Sequence, residues 1–284
     1  MNNQLDIFSR SIQLEDEENK IKALDDLFEK SAQYKQSREF KNLLDFINKF
    51  PNLSPFNAFL IHMQDSGAQI VLTHSKWLEY GRRIKPNARP LIILIPFGPV
   101  SFVYNISDTE LIEEGKDHTP ESLLDPFKTK GDFNYTVYQK TVKNASLEGI
   151  SIDEDAMHSD SAGYVTWKSE DTFSIKLNSN LKMNEKFSTL IHELAHVYCG
   201  HLGVHKNSWW ESRSNNANNT REIEAESVSY LVCSRVGLNT TSSEYLSLYI
   251  SQNKAMPNIS LDTILKVANH IEKMGQPNFK PKKK

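Results

Sequence analysis

The stretch Phe187-Ser188-Thr189-Leu190-Ile191-His192-Glu193-Leu194-Ala195-His196 places two histidines one helical turn apart on an otherwise apolar or small-residue segment. At about 100° per residue the two imidazoles fall roughly 40° apart on one face, close enough to meet one Zn²⁺ at about 2.0–2.1 Å per bond. Glu193 lies about 100° round from His192, too offset to chelate with the pair but placed to take a proton from water at the metal. Phe187, Leu190, Ile191, Leu194, Val197 and Tyr198 fill the opposite arc, so this helix buries its back, and Gly200 ends it. A buried helix with so narrow a polar face needs a partner for its histidines. A metal supplies one.

Two histidines leave a catalytic site one protein ligand short, since such sites hold three plus water. The longer pattern HExxHxxGxxH needs glycine at position 199 and histidine at 202, where this chain has Cys199 and Leu202; Gly200 and His201 are out of register. The run Arg221-Glu222-Ile223-Glu224-Ala225-Glu226-Ser227-Val228 offers the third ligand instead. On a helix Glu222 and Glu226 share a face at i, i+4 with Ser229 and Cys233, while Glu224 points about 160–200° away. Glu222 is assigned as third ligand and Glu226 as acceptor for a free histidine ring N–H. The reverse order stays open, because spacing alone does not rank the two. With Zn²⁺ in place, Glu193 acts as general base and then passes its proton to the leaving amine. Tyr164, Tyr198, His201 and His205 are nominees for an oxyanion donor. Cys199 and Cys233 fall on the faces that would meet at the metal, as neighbours of the site, as a redox-sensitive pair, or as small packing residues.

Outward from this site the chain is ordinary. Its 284 residues are 38% hydrophobic and 24% charged with a net charge of −3, which suits one large or two modest globular domains and excludes a general polyanion binder. Two cysteines make no disulfide framework, the amino terminus has no basic-then-apolar signal, and Leu91–Phe97 is too short to span a membrane. A cytoplasmic protein is expected. Periodicity predicts helices around Ile21–Phe28, Phe40–Ile47, Pro55–Met63 (capped by Ser54), Ser75–Gly81 (capped by Ser75), Tyr135–Ala145, 184–199, 221–236 and 261–273. Leu91–Pro96 and Val100–Tyr104 form a hairpin across Phe97-Gly98-Pro99; Gly149–Asp153, 163–167 and 172–177 are strands, the last with Phe173, Ile175 and Leu177 inward. Polar residues 106–132 mark a boundary. The expected division is 1–125, 126–275 and a basic tail, 276–284, whose end Lys282-Lys283-Lys284 is solvated.

From about residue 133 onward the chain resembles the ImmA/IrrE family of bacterial and phage metallopeptidases. The resemblance rests on Phe187 to His196 and on Glu222-Ile223-Glu224-Ala225-Glu226, which are similar to that family's F-T-L-x-HELxH and E-x-E-A helices. It implies zinc on His192, His196 and Glu222, Glu193 as base, a zincin-like fold, and a strand beside the cleft to which substrate backbone adds, here Thr172 to Leu177. Glu226 departs from the family's usual Asn and resembles the arrangement in thermolysin-like enzymes. Leu231-Val232-Cys233-Ser234 replaces the family's Leu-Met-Pro ending, which puts its usual substrate, a transcriptional repressor, in doubt.

Residues from about 35 to 110 are similar to the N-terminal domain of ArdC-type antirestriction proteins, which bind single-stranded DNA. The cues are Ser54 to Leu60, Trp77 with Gly81, and Val103-Tyr104-Asn105-Ile106. Between Lys76 and Pro90, five cations (Lys76, Arg82, Arg83, Lys85, Arg89) face one acid, Glu79. Trp77 and Tyr80 are base-stacking nominees, with Arg82, Arg83, Lys85 and Arg89 as phosphate contacts. The expected fold is α+β: a mostly helical metallopeptidase domain with a small antiparallel sheet, behind a smaller α+β domain. The expected function is zinc-dependent hydrolysis of a cytoplasmic protein or peptide. Two alternatives stand beside it: an ArdC-like single-stranded-DNA-binding antirestriction protein whose zinc domain is structural or weakly active, and a metal-stabilised interaction module.

Overall fold

A computed structural model describes residues 37–282 apart from 96–99, 114, 116, 121–133, 159–160, 170–171, 207, 239, 241–245, 247–248, 250–251 and 253–255. The helix expected at Ile21–Phe28 and the hairpin turn Phe97-Gly98-Pro99 lie outside the described residues, as does the expected junction at 125/126. Among the described residues, seven α-helices and eight strands make an α+β fold, and no described helix is long and apolar enough to cross a membrane.

Helix α1 (Ser37–Asn48) buries Phe40, Leu43, Leu44 and Ile47, the predicted stripe. Helix α2 (Pro55–Gln64) begins as expected, with the Ser54 hydroxyl accepting from the Asn57 N–H and Pro55 in the first turn, where no intrahelical donor is needed. Strand β1 (Val71–Leu72) leads into α3 (His74–Glu79). Its cap is Thr73 rather than Ser75: the Thr73 hydroxyl takes the Lys76 N–H, and Ser75 lies inside the helix with its own hydroxyl 3.1 Å from that of Thr73. Strands β2 (Arg82–Ile84) and β5 (Thr109–Leu111) pair with each other. The hairpin β3 (Leu91–Leu94) and β4 (Val100–Asn105) is joined by β1 in the order β1-β4-β3.

The outer edge of β3 is closed by side chains. Asn57 and Gln64, two helical turns apart on α2, each exchange a pair of hydrogen bonds with the strand: Asn57 with both backbone groups of Leu94, at 2.9 and 3.0 Å, and Gln64 with both of Ile92, at 2.8 Å. An uncovered edge invites pairing with another chain. Alanine at both positions is expected to lower stability by about 2 kcal/mol in all, at roughly 0.5–1.5 kcal/mol per lost partner, read as a lower urea midpoint at unchanged slope.

Helix α4 (Tyr135–Ser146) precedes β6 (Ile150–Asp155), β7 (Gly163–Ser169) and β8 (Thr172–Asn178). The sheet order is β6-β8-β7, with β6 parallel and β7 antiparallel to β8, so this sheet is mixed rather than purely antiparallel. β8 is central. The segment Thr172 to Leu177 therefore has no free edge for a substrate backbone, and the sheet's edges belong to β6 and β7. Ser174 is buried along with Phe173, Ile175 and Leu177, because packing covers both faces of a central strand.

Helices α5 (Met183–Tyr198), α6 (Asn218–Arg235) and α7 (Leu261–Met274) complete the fold. One apolar cluster holds Phe40, Leu44 and Ile47 together with Leu190, Val228, Leu231, Leu265 and Ile271, so α1 and α2 rest on the same core as the histidine helix. Tyr230 on α6 donates to Asp45 on α1 at 2.7 Å. Arg235, at the end of α6, pairs with Glu272 on α7 and donates to the carbonyls of Ile47, Phe50, Pro51 and Leu53, closing the carboxyl end of α1 and the loop after it.

The tail is tied down at Lys282, although that residue is exposed. Glu148 accepts from the Tyr198 hydroxyl (2.6 Å), His270 Nε2 (2.8 Å) and the backbone N–H of Lys282 (2.8 Å), and the Lys282 ammonium lies 4.1 Å from the Trp209 ring centroid. Burial opposes the charge on Glu148, yet His270, Tyr198 and the Lys282 N–H together hold its carboxyl below the ordinary range. Burial likewise holds His270 below its ordinary 6.5, against the pull of Glu148. Both depressions have the same sign for stability. The His270 contribution is full above its unfolded value of about 6.5 and drains as pH falls below that, and the Glu148 contribution follows below about 4.5. The melting temperature is expected to fall with acid from about pH 6.5 downward, and His270→Gln is expected to flatten the upper part of that decline.

Candidate metal centre

α5 is fixed at both ends. The Glu185 carboxylate reaches back 2.8 Å to the Lys182 N–H, and at the far end Gly200 adopts φ +74, a conformation that glycine reaches without steric cost. A Cβ on Gly200 would stand 1.9 Å from the Glu211 carbonyl oxygen. This close approach lets the chain fold back, with the Arg213 N–H on the Gly200 carbonyl at 2.8 Å and the His201 N–H on that of His196 at 3.0 Å.

α6 crosses α5 so that Glu222 meets the histidine pair. His192 Nε2 and His196 Nε2 are 3.1 Å apart, and Glu222 Oε2 lies 3.7 Å from each. Ligands at about 2.0–2.1 Å around a tetrahedral ion stand about 3.3–3.4 Å from one another, so shifts of a few tenths of an ångström would bring the three atoms to three corners of such a shell. Glu226 Oε1 lies 3.5 Å from His192 Nδ1, on the side away from the shared point. The structure thus brings Glu222 to both imidazoles and Glu226 behind one of them. Burial, with His196 beside it, pushes His192 down to about 4; His196 also holds the Glu222 carboxyl below its ordinary range. Two Nε2 atoms 3.1 Å apart either share one hydrogen or turn both lone pairs to a common cation. The donor set fits a divalent ion.

Glu193 is only 9% exposed and points to the same side, where the backbone N–H of Val165 on β7 reaches its carboxylate. Burial pushes its carboxyl up to about 7; the neighbouring Glu222 and Glu226 charges push the same way, and His196 and the Val165 N–H oppose them. A group poised there can both accept and return a proton near neutral pH.

Behind His196 stands an arrangement that the sequence did not disclose. His201 Nδ1 lies 3.0 Å from His196 Nδ1, and His201 Nε2 lies 2.9 Å from Glu224 Oε2. Glu224, fully buried, is gripped by Arg213 at 2.7 and 2.5 Å and takes the Ser260 N–H at 2.6 Å. The helical wheel does turn Glu224 away from Glu222 and Glu226. The one available cue was that an acid on the core face of a helix must be paired, and nothing in the spacing pointed to Arg213.

Two oxyanion nominees face elsewhere. The Tyr198 hydroxyl is committed to Glu148, and His201 sits behind the metal ligands rather than in front of them. His205 stacks among Phe173 and Trp210, which leaves Tyr164, exposed on β7. Both cysteines are buried: burial raises the Cys199 thiol, with Glu224 adding to it, and pushes Cys233 up to about 12. Held protonated, they are packing residues.

The base-stacking expectation fails at Trp77. That ring is 0% exposed and its Nε1 donates to the Tyr104 carbonyl at 2.9 Å, so it belongs to the core. Arg82 is paired with Asp117 at 2.6 Å and Arg83 with Glu110 at 2.7 Å, two acids contributed from outside the basic stretch. Lys76 pairs with Glu79 and lies 5.8 Å from the Tyr80 ring, and Lys85 donates to the Ser107 carbonyl at 2.8 Å. Arg83, Lys85 and Arg89 are exposed; Tyr80 and Arg82 are half-buried.

No protein-family model and no curated protein matches the chain. Among solved structures, the metal-free antirestriction protein ArdC from plasmid R388 is 14% identical with a TM-score of 0.35, over 78% of this chain and 81% of that one. Its Mn(II)-bound form is 15% identical with a TM-score of 0.37, over 77% and 81%. A likeness of this size bears on neither activity nor partner.

Proposed function

We propose that the chain is a zinc-dependent peptidase that hydrolyses a protein or peptide, with His192, His196 and Glu222 as metal ligands and Glu193 as general base. What carries this reading is the convergence of three donor atoms, 3.1–3.7 Å from one another, beside a buried carboxylate. A divalent cation there supplies a Lewis acid that polarises a carbonyl and acidifies water. Glu193 accepts the proton of the attacking water and returns it to the leaving amine, held in aim by the Val165 N–H. A peptide substrate is favoured because β7, one of the two edge strands of its sheet, runs past Glu193, and an extended backbone added to that edge would present its carbonyls there.

Metal analysis combined with digestion of a proteome-derived peptide library tests this. Wild type and Glu193→Gln should each hold about one zinc per chain, and only wild type should yield new peptide termini. Full zinc in both proteins and no cleavage by either would overturn the peptidase reading and leave the metal site standing. The antirestriction alternative keeps Arg83, Lys85 and Arg89 as its exposed cations. Tight, salt-dependent binding of a single-stranded oligonucleotide, lost in Arg83→Glu with Lys85→Glu, would favour it.

A further inference from the structure

We infer that His201 is a positioning residue that fixes the tautomer of His196, anchored in turn by the buried Glu224–Arg213 ion pair. The inference rests on the metal-site reading above, and follows from counting donors. Glu224 offers only acceptors, and its two oxygens already meet both Arg213 nitrogens and the Ser260 N–H. His201 Nε2, 2.9 Å from Glu224 Oε2, must therefore carry a hydrogen. With that hydrogen on Nε2, the single-hydrogen ring of His201 turns a lone pair at Nδ1 to His196 Nδ1, 3.0 Å away. His196 meets it by donating from Nδ1, the tautomer that directs the Nε2 lone pair toward His192 and Glu222.

The same count argues against a second metal. Cys199, His201 and Glu224 lie within ligand reach of one another, but both His201 nitrogens and both Glu224 oxygens are taken by partners that do not coordinate. The device depends on the fold-back at Gly200, which carries His201 behind the residue five positions earlier.

Nitrogen NMR of metal-free protein labelled in histidine reads the tautomer directly, and chelator competition reads zinc affinity. His196 should appear protonated at Nδ1 in wild type and lose that preference in His201→Phe, which keeps a ring but removes the acceptor. Zinc affinity should fall about 10–100-fold in His201→Phe, the usual cost of removing an outer partner of a metal-bound histidine. His201→Asn, whose Oδ1 takes the place of Nδ1, should restore most of it. Should His201→Phe fail to fold, the wild-type tautomer and the asparagine variant still decide. A wild-type His196 protonated at Nε2, or a folded His201→Phe with undiminished affinity, overturns the inference. A second equivalent of zinc lost with His201→Phe overturns it as well. If wild type takes up no zinc, the metal-site reading fails, while the tautomer measurement still judges the His201 contact.

Discussion

Glu222→Ala is expected to remove zinc almost completely, well beyond the roughly 10–100-fold loss expected of Glu226→Ala. The difference comes from geometry. Glu222 Oε2 is 3.7 Å from both Nε2 atoms and so faces the point they share, whereas Glu226 Oε1 is 3.5 Å from the rear nitrogen of His192. Without Glu222, two imidazoles alone must hold the ion; without Glu226, the ring is merely less well aimed. His196→Ala should match Glu222→Ala. Equilibrium dialysis against a graded zinc buffer, with circular dichroism to confirm folding, separates the three. Normal zinc in Glu222→Ala with loss in Glu226→Ala would exchange the two roles.

The second large effect concerns stability. Arg235→Ala should cost about 3–5 kcal/mol, the usual penalty for breaking a buried pair, and lower the melting temperature by roughly 10 °C. Arg235 is 3% exposed and satisfies Glu272 and four backbone carbonyls at once. Burial pushes the Glu272 carboxyl up, and Arg235 is the main force pulling it down. Truncation leaves that acid and the carboxyl end of α1 without their donor. Arg235→Lys should recover only part of the loss, since an ammonium cannot span the same fork of acceptors. A drop of less than about 1 kcal/mol in Arg235→Ala would show that water replaces these contacts.

The parts legible in the sequence are those governed by short-range period. The apolar arc of α5, the Glu222–Glu226 face of α6 and the pairing of β7 with β8 all follow from repeats of a few residues, and the structure has them. What escaped depends on contacts distant in the chain. Glu110 and Asp117 neutralise Arg83 and Arg82 from 27 and 35 residues away, so counting charges from 76 to 90 overstated a basic face. Trp77 sits on a six-residue helix, too short for periodicity to say which side is buried. The parallel partner of β8 is β6, which turned an expected accessible strand into a central one. His201 is out of register for the longer HExxHxxGxxH pattern, and only the path of the chain past Gly200 makes it a neighbour of His196. Thr73 and Ser75 are both capping residue types, and only the backbone path chooses between them.

The apolar cluster shared by α1, α2 and the histidine helix also bears on modularity. Val228, Leu231 and Ile271 bury their surfaces against the same core as Phe40, Leu44 and Ile47, and Asp45 and the carbonyls after α1 take hydrogen bonds from α6. A graft of residues 134–282 onto an unrelated protein would arrive with that surface bare and with Arg235 stripped of four acceptors. Such a transplant should precipitate or recruit chaperones, and its solubility should return on co-expression of residues 37–113 as a separate chain.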